Sequence, residues 1–240
     1  MGRQIDTGVM QTGEAELFEQ VRLDGMRGVI ARRMTQSLRD MAQLTLHRQV
    51  DVAALLRFRE GFAEDARPSF GDLVLAAVAR VLPHHPSINA TLEEETISRW
   101  RSVHLGTAVA VEAGLVVPVI HNAHELALSD LRREAARLAS AAREVRLTMS
   151  DIQGGTFTVS NLGAFGVDAF TPIVNPPQVA ILGVGRVHRG EMTLSLTIDH
   201  RALDGVPGAR FLHELAEVFA EPGLALDEAR QRTRANGSAS

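Results

Sequence analysis

Runs that alternate every second residue and runs with helical period are interleaved along this chain, in an order with no fixed repeat. That irregular order constrains the fold more than any other feature. Strict strand–helix alternation would build a barrel or a doubly wound parallel sheet, whereas an irregular order builds a mixed sheet covered by helices. Residues 26–41 place Ile30, Met34, Leu38 and Met41 at helical spacing, which predicts an amphipathic helix with arginines on its outer face. Residues 44–50 alternate as a strand, and Asp51 stands where a cap belongs before a helix over 52–62. Residues 70–82 are apolar nearly all round, as a buried helix is, and Pro83 is expected to stop it. Two strands, 103–111 and 115–120, are expected on either side of a turn at Ala113-Gly114. Ser129 is expected to cap a helix over 130–145, and Ser150-Asp151-Ile152-Gln153 reads as a capping box. Residues 156–160, 179–184 and 192–198 read as strands, and 206–220 as the last helix, with Pro207 tolerated in its first turn. The expected class is α/β (α+β), a two-layer sandwich of a mixed β-sheet and covering helices. Residues 1–19 read as a flexible arm, 20–224 as one domain, and 225–240 as a disordered tail.

Composition narrows the chemistry. The chain has no cysteine, which removes disulfides, thiolate nucleophiles and cysteine zinc sites together. It also has no lysine, so Schiff-base chemistry and a P-loop lysine are excluded. A formal charge of −4 does not suggest a nucleic-acid partner. No apolar run approaches the ~18–20 residues that span a bilayer, and the first residues lack a signal core, so a cytoplasmic protein without a membrane partner is expected.

Two motifs can carry chemistry. In Asp199-His200-Arg201-Ala202-Leu203-Asp204-Gly205, a histidine stands where a strand ends and a helix is about to begin. It reads either as an acid–base group projecting from a rigid backbone or as an incidental histidine in a strand-to-helix turn. Asp204 can cap that helix and hold a neighbouring charge. In the stretch from Gly154 to Gly163, a strand runs into Ser160-Asn161-Leu162-Gly163. Ser160 can donate to an oxyanion, or the same residues can be ordinary turn chemistry. Ser160 is not the serine of a nucleophile elbow, because Thr158 occupies the position that needs glycine. The pair His121 and His124 has a metal-like spacing without a carboxylate to complete it, and no metal site is expected. Arg132, Arg133, Arg137, Arg143 and Arg146 make a basic helix, which reads as a solvated face or as an attraction for an acidic carrier or coenzyme A phosphates.

The motifs together resemble the catalytic domain of the 2-oxoacid dehydrogenase dihydrolipoamide acyltransferases, over about residues 22–224. Five blocks in order carry the resemblance: 27–34 beginning Arg27-Gly28-Val29-Ile30, 114–120, 154–163, 170–185 and 199–205. Chloramphenicol acetyltransferases look like distant relatives that share the His-x-x-x-Asp-Gly signature. They usually have a second histidine before it, where this chain has Asp199. The resemblance implies a coenzyme A-dependent acyltransferase fold and a catalytic set of His200, Asp204 and Ser160. His200 would be the base that takes the coenzyme A proton. Ser160 would be the oxyanion donor. Asp204 would have an architectural role through an arginine, with Arg27 the candidate, and Thr158, Asn161 and Gly163 would line the substrate. It implies coenzyme A as a substrate, no metal, and a homotrimer with His200 and Ser160 from different chains, in places assembled into larger cores. With no lysine to carry lipoate, a lipoyl group would have to be supplied in trans by a lipoyl-carrier protein or a component of a dehydrogenase complex. The alternatives are a stand-alone enzyme of the chloramphenicol acetyltransferase kind, acylating a small molecule, and a non-catalytic oligomeric scaffold.

Overall fold

The structure, a computed structural model, describes residues 21–111 and 114–226. Its elements in chain order are α1 (Gly25–Asp40), β1 (Gln43–Asp51), α2 (Ala53–Glu60), α3 (Phe70–Val81), β2 (Ala90–Glu93), β3 (Thr96–Arg99), β4 (Leu105–Thr107), β5 (Val109–Val111), β6 (Gly114–Val116) and β7 (Val119–Ile120), then α4 (Leu128–Arg143), α5 (Met149–Ile152), β8 (Phe157–Asn161), β9 (Ala180–Val184), β10 (Glu191–Asp199), α6 (Gly205–Ala220) and α7 (Pro222–Leu226). Six strands form one mixed sheet in the order β1-β10-β9-β8-β4-β7. β9 and β8, and β8 and β4, run parallel, and the other pairs are antiparallel. The mixed, helix-covered sheet read from the irregular element order is the architecture observed.

One face of the sheet is the core. Alternation in β10 sends Met192, Leu194, Leu196 and Ile198 into a cluster that holds Phe157 and Val159 of β8 and Phe211, Leu212, Leu215 and Phe219 of α6. The helix lies close because Gly208 faces β1, where an added Cβ would come 2.8 Å from Leu46. The opposite face is polar. Thr45 meets Thr197 at 2.8 Å, and His47 Nδ1 meets Ser195 Oγ at 2.9 Å. No helix among the described residues is long and apolar enough to cross a membrane.

Several local expectations are corrected. The N-cap of α2 is Val52, one residue after the expected Asp51, although Asp51 Oδ1 accepts the Ala53 N–H at 2.7 Å. Ser129 lies inside α4, whose N-cap is Ala127. The capping box is Thr148 with Asp151, not Ser150 with Gln153. Pro83 falls within a 3-10 turn, Leu82–His84, that continues α3. The two strands expected over 103–120 are four, because β4 and β7 join the large sheet while β5 and β6 peel away as a separate hairpin. The hairpin of β2 and β3 was not foreseen, although Thr96-Ile97-Ser98-Arg99 alternates. The start of the polar C-terminal stretch forms α7, with Leu226 in the core. The arm 1–19 and residues 227–240 lie outside the described residues.

Candidate active site

His200 follows the last residue of β10 at the start of a turn. The turn is built on Asp199, which is fully buried. Its carboxylate accepts Arg201 Nε at 3.0 Å, Arg201 Nη2 at 2.6 Å, the Arg201 backbone N–H at 3.1 Å and the Ala42 N–H at 3.3 Å. A buried carboxylate is tolerable only when paired and hydrogen-bonded this completely. The His200 backbone N–H donates to Ala42 O at 2.8 Å, so both sides of the histidine's backbone are pinned. Its imidazole is 45% exposed, and neither ring nitrogen is hydrogen-bonded among the described residues. It is held from behind and free in front.

Asp204 occupies the N-cap position of α6 with extended backbone, but its side chain makes no cap bond. Its carboxylate is 85% exposed and lies 3.9 Å from His200 Nδ1, an ion-pair distance beyond a hydrogen bond. The expected Arg27–Asp204 pair does not form within the chain. Arg27 sits in the first turn of α1 beside Gly114 of the β5–β6 hairpin. The His200 backbone is tied to Ala42, past the other end of that helix. Thirteen residues of α-helix, roughly 20 Å, separate Arg27 from Asp40. The arginine that organises the turn is Arg201, whose place two residues after Asp199 is the signal that the sequence reading passed over.

Ser160 stands near the end of β8 on the polar face, half-buried, its hydroxyl without a partner among the described residues. The turn after it is fixed locally. Asn161 Oδ1 accepts the Gly163 N–H at 2.9 Å, and a Cβ on Gly163 would approach the Gly185 carbonyl oxygen to 2.5 Å. Thr158 is buried, its hydroxyl donating to Gln178 Oε1 at 2.7 Å. Asn161, Gly163 and Thr158 thus shape the strand and turn that present Ser160.

Strand register sets the distance between the two groups. Ser160 pairs with Gly183, and Gly183 with Ser195. His200 lies five residues further along β10. At ~3.3 Å per residue and two interstrand steps of ~4.8 Å, the two backbones are roughly 19 Å apart. Their side chains cannot meet across that gap. His200 and Ser160 therefore lie at opposite ends of the sheet.

The other sequence candidates have local partners. His121 Nε2 lies 2.9 Å from Ser150 O, and His124 Nδ1 accepts the Val103 N–H at 3.3 Å. Outside these candidates, His84 and His85 clamp Glu214 at 2.6 and 2.7 Å. On α4, Arg133 pairs with Asp130, and Arg137 with Glu134 and Asp151, so much of its basic face is neutralised in place.

Comparison with known proteins places the chain in a family. Residues 15–226 match the family described as 2-oxoacid dehydrogenases acyltransferase (catalytic domain). A dihydrolipoyllysine-residue acetyltransferase component of the acetoin cleaving system of Bacillus subtilis is 41% identical over 222 residues, covering 85% of this chain and 56% of that protein. The chain thus spans just over half the length of that relative. The cubic core of a pyruvate dehydrogenase multienzyme complex superposes with a TM-score of 0.80 at 35% identity, covering 89% of this chain and 95% of that one. A chloramphenicol acetyltransferase superposes with a TM-score of 0.54 at 14% identity, over 78% of this chain and 94% of that one, and shares the fold alone. With nearly all of its described residues inside the family match, the chain belongs to the 2-oxoacid dehydrogenase acyltransferases, of which it carries the catalytic domain.

Proposed function

We propose that the chain transfers an acyl group between dihydrolipoamide and coenzyme A, at a site completed by two copies of the chain. The observation that carries this reading is the separation of His200 from Ser160 by two interstrand steps and most of the sheet's length, with neither side chain hydrogen-bonded among the described residues. Two groups so exposed and so far apart are useful together only when a second copy brings His200 to Ser160. A homotrimer supplies such a contact by symmetry, and a close structural neighbour forms a cubic core.

In that site the imidazole of His200 takes the proton of the coenzyme A thiol, which like other thiols is mostly protonated at neutral pH. The sulfur attacks the thioester carbonyl of acyl-dihydrolipoamide, and the carbonyl oxygen becomes an oxyanion. Ser160 of the neighbouring copy donates its hydroxyl hydrogen to that oxygen. When the intermediate collapses, the dihydrolipoamide sulfur leaves and takes the proton back from the imidazolium. No acyl-enzyme forms. Asp204 lies 3.9 Å from His200 Nδ1, too far to accept its proton directly. With no lysine in these residues, the lipoyl group reaches the site from elsewhere in the complex.

The test is thiol release from a panel of acyl-coenzyme A thioesters with free dihydrolipoamide as acceptor. Release that depends on dihydrolipoamide supports the reading and identifies the acyl group. Release only with small alcohols or amines would replace it with a stand-alone acyltransferase, and no release at all would leave a scaffold.

A further inference from the structure

Beyond His200 and Ser160 lies a cavity of about 390 Å³, enclosed by the β2–β3 hairpin, β7, α5 and the segment before β9. Its polar lining is unbalanced. Gln178 is 3% exposed, and its Oε1 is taken by Thr158, which leaves its Nε2 amide without an acceptor among the described residues. His104 Nδ1 accepts the Asn122 N–H at 3.2 Å, so its ring proton sits on Nε2, and that nitrogen has no partner either. Burial lowers the pKa of His104, and the nearby His121 and His124 lower it further, which keeps the ring a neutral donor. Arg33 donates to the Pro176 carbonyl but pairs with no carboxylate among the described residues. Glu93, the one carboxylate among the lining residues, is exposed and makes no ion pair. Val119, Ile152 and Trp100 supply apolar wall, beside the polar Thr91, Gln153 and Asn175.

Gly155 keeps the space open. A Cβ there would come 2.9 Å from Gln178 Nε2 and 3.2 Å from Val119 Cγ2. Two donors without an acceptor among the described residues, Gln178 Nε2 and His104 Nε2, and the cationic Arg33 line one space with apolar neighbours and call for an acceptor-rich anion with a hydrocarbon end. From the unpaired Gln178 amide and the charge of Arg33 we infer that this cavity binds a small carboxylate with a short apolar body. The floor of the cavity also touches the catalytic turn. Val179, next after Gln178, accepts the Asp199 N–H at 2.8 Å, so an occupant bears on the strand that presents His200.

Calorimetric titration of the assembled protein with butyrate, against the neutral isostere butyramide, tests the inference. For a ligand of six heavy atoms, saturation is expected at about 1–10 mM. Arg33→Met, which removes the charge, and Gly155→Ala, which fills the space, should each weaken butyrate at least about tenfold. His200→Ala should bind butyrate as the unaltered chain does, and butyrate should shift the His104 ring proton resonances. Thermal melts and light scattering on each variant confirm that it folds and assembles. The inference is overturned by butyrate that does not saturate, by butyramide binding equally well, or by loss of binding in His200→Ala, which would place the anion at the catalytic turn.

Discussion

Mixing two inactive chains tests the two-copy site directly. His200→Ala removes the base, worth roughly 10²–10⁴ in rate, and Ser160→Ala removes an oxyanion donor, worth roughly 10²–10³, so each pure variant should retain about 1% of activity or less. Register places the two residues roughly 19 Å apart in one chain, so in the proposed site the histidine comes from one copy and the serine from another. In a randomly mixed one-to-one oligomer, half of the histidine positions and half of the serine positions are intact. About a quarter of the sites are then whole, in any closed assembly where neighbours share sites. Co-expression of the two variants, with native mass spectrometry to confirm mixing, should therefore recover about a quarter of normal kcat. Wild-type chain mixed with the double variant gives a second reading. Shared sites predict about a quarter of normal activity, and sites private to each chain predict about half. Recovery no greater than that of the pure variants, together with half activity in the second mixture, would refute the argument from register.

Three further outcomes follow from the same contacts. Ser160→Ala should lower kcat far more than it raises KM, because the oxyanion contact strengthens in the transition state; steady-state kinetics showing a change in KM alone would count against the role. Arg201→Met leaves the Asp199 carboxylate buried without its partner, and chemical denaturation should show a loss of about 3–5 kcal/mol together with reduced kcat; a stability equal to that of the normal chain would mean that Asp199 is not held by this pair. Hydrogen bonds from Arg137 and Thr148 hold the Asp151 carboxyl at a pKa of about 2, against an ordinary 3.8. A lowered folded-state pKa contributes stability that is present above 3.8 and lost as pH falls towards 2, and Asp151→Asn should remove that part of the acid dependence of unfolding, measured by circular dichroism.

The polypeptide by itself determined which elements form. Alternation in 192–198 marked β10, and the even apolar coat of 70–82 marked the buried α3, because periodicity is a local property that burial then rewards. It also placed His200 and Ser160 at element ends as candidate groups. Pairing was beyond its reach. The division of 103–120 between two sheets depends on which strands compete for the edges of β8 and β5, and no local signal records that competition. The Arg27–Asp204 pairing failed for the same reason. Spacing along the chain cannot show that α1 carries Arg27 away from the turn, while Arg201 lies within reach of Asp199. The cavity around Gln178 joins residues from 33 to 178, and only folding brings their unmatched donors together. The histidine and the serine were legible as residues. That they stand at opposite ends of one sheet follows from strand register, which long-range hydrogen bonds decide.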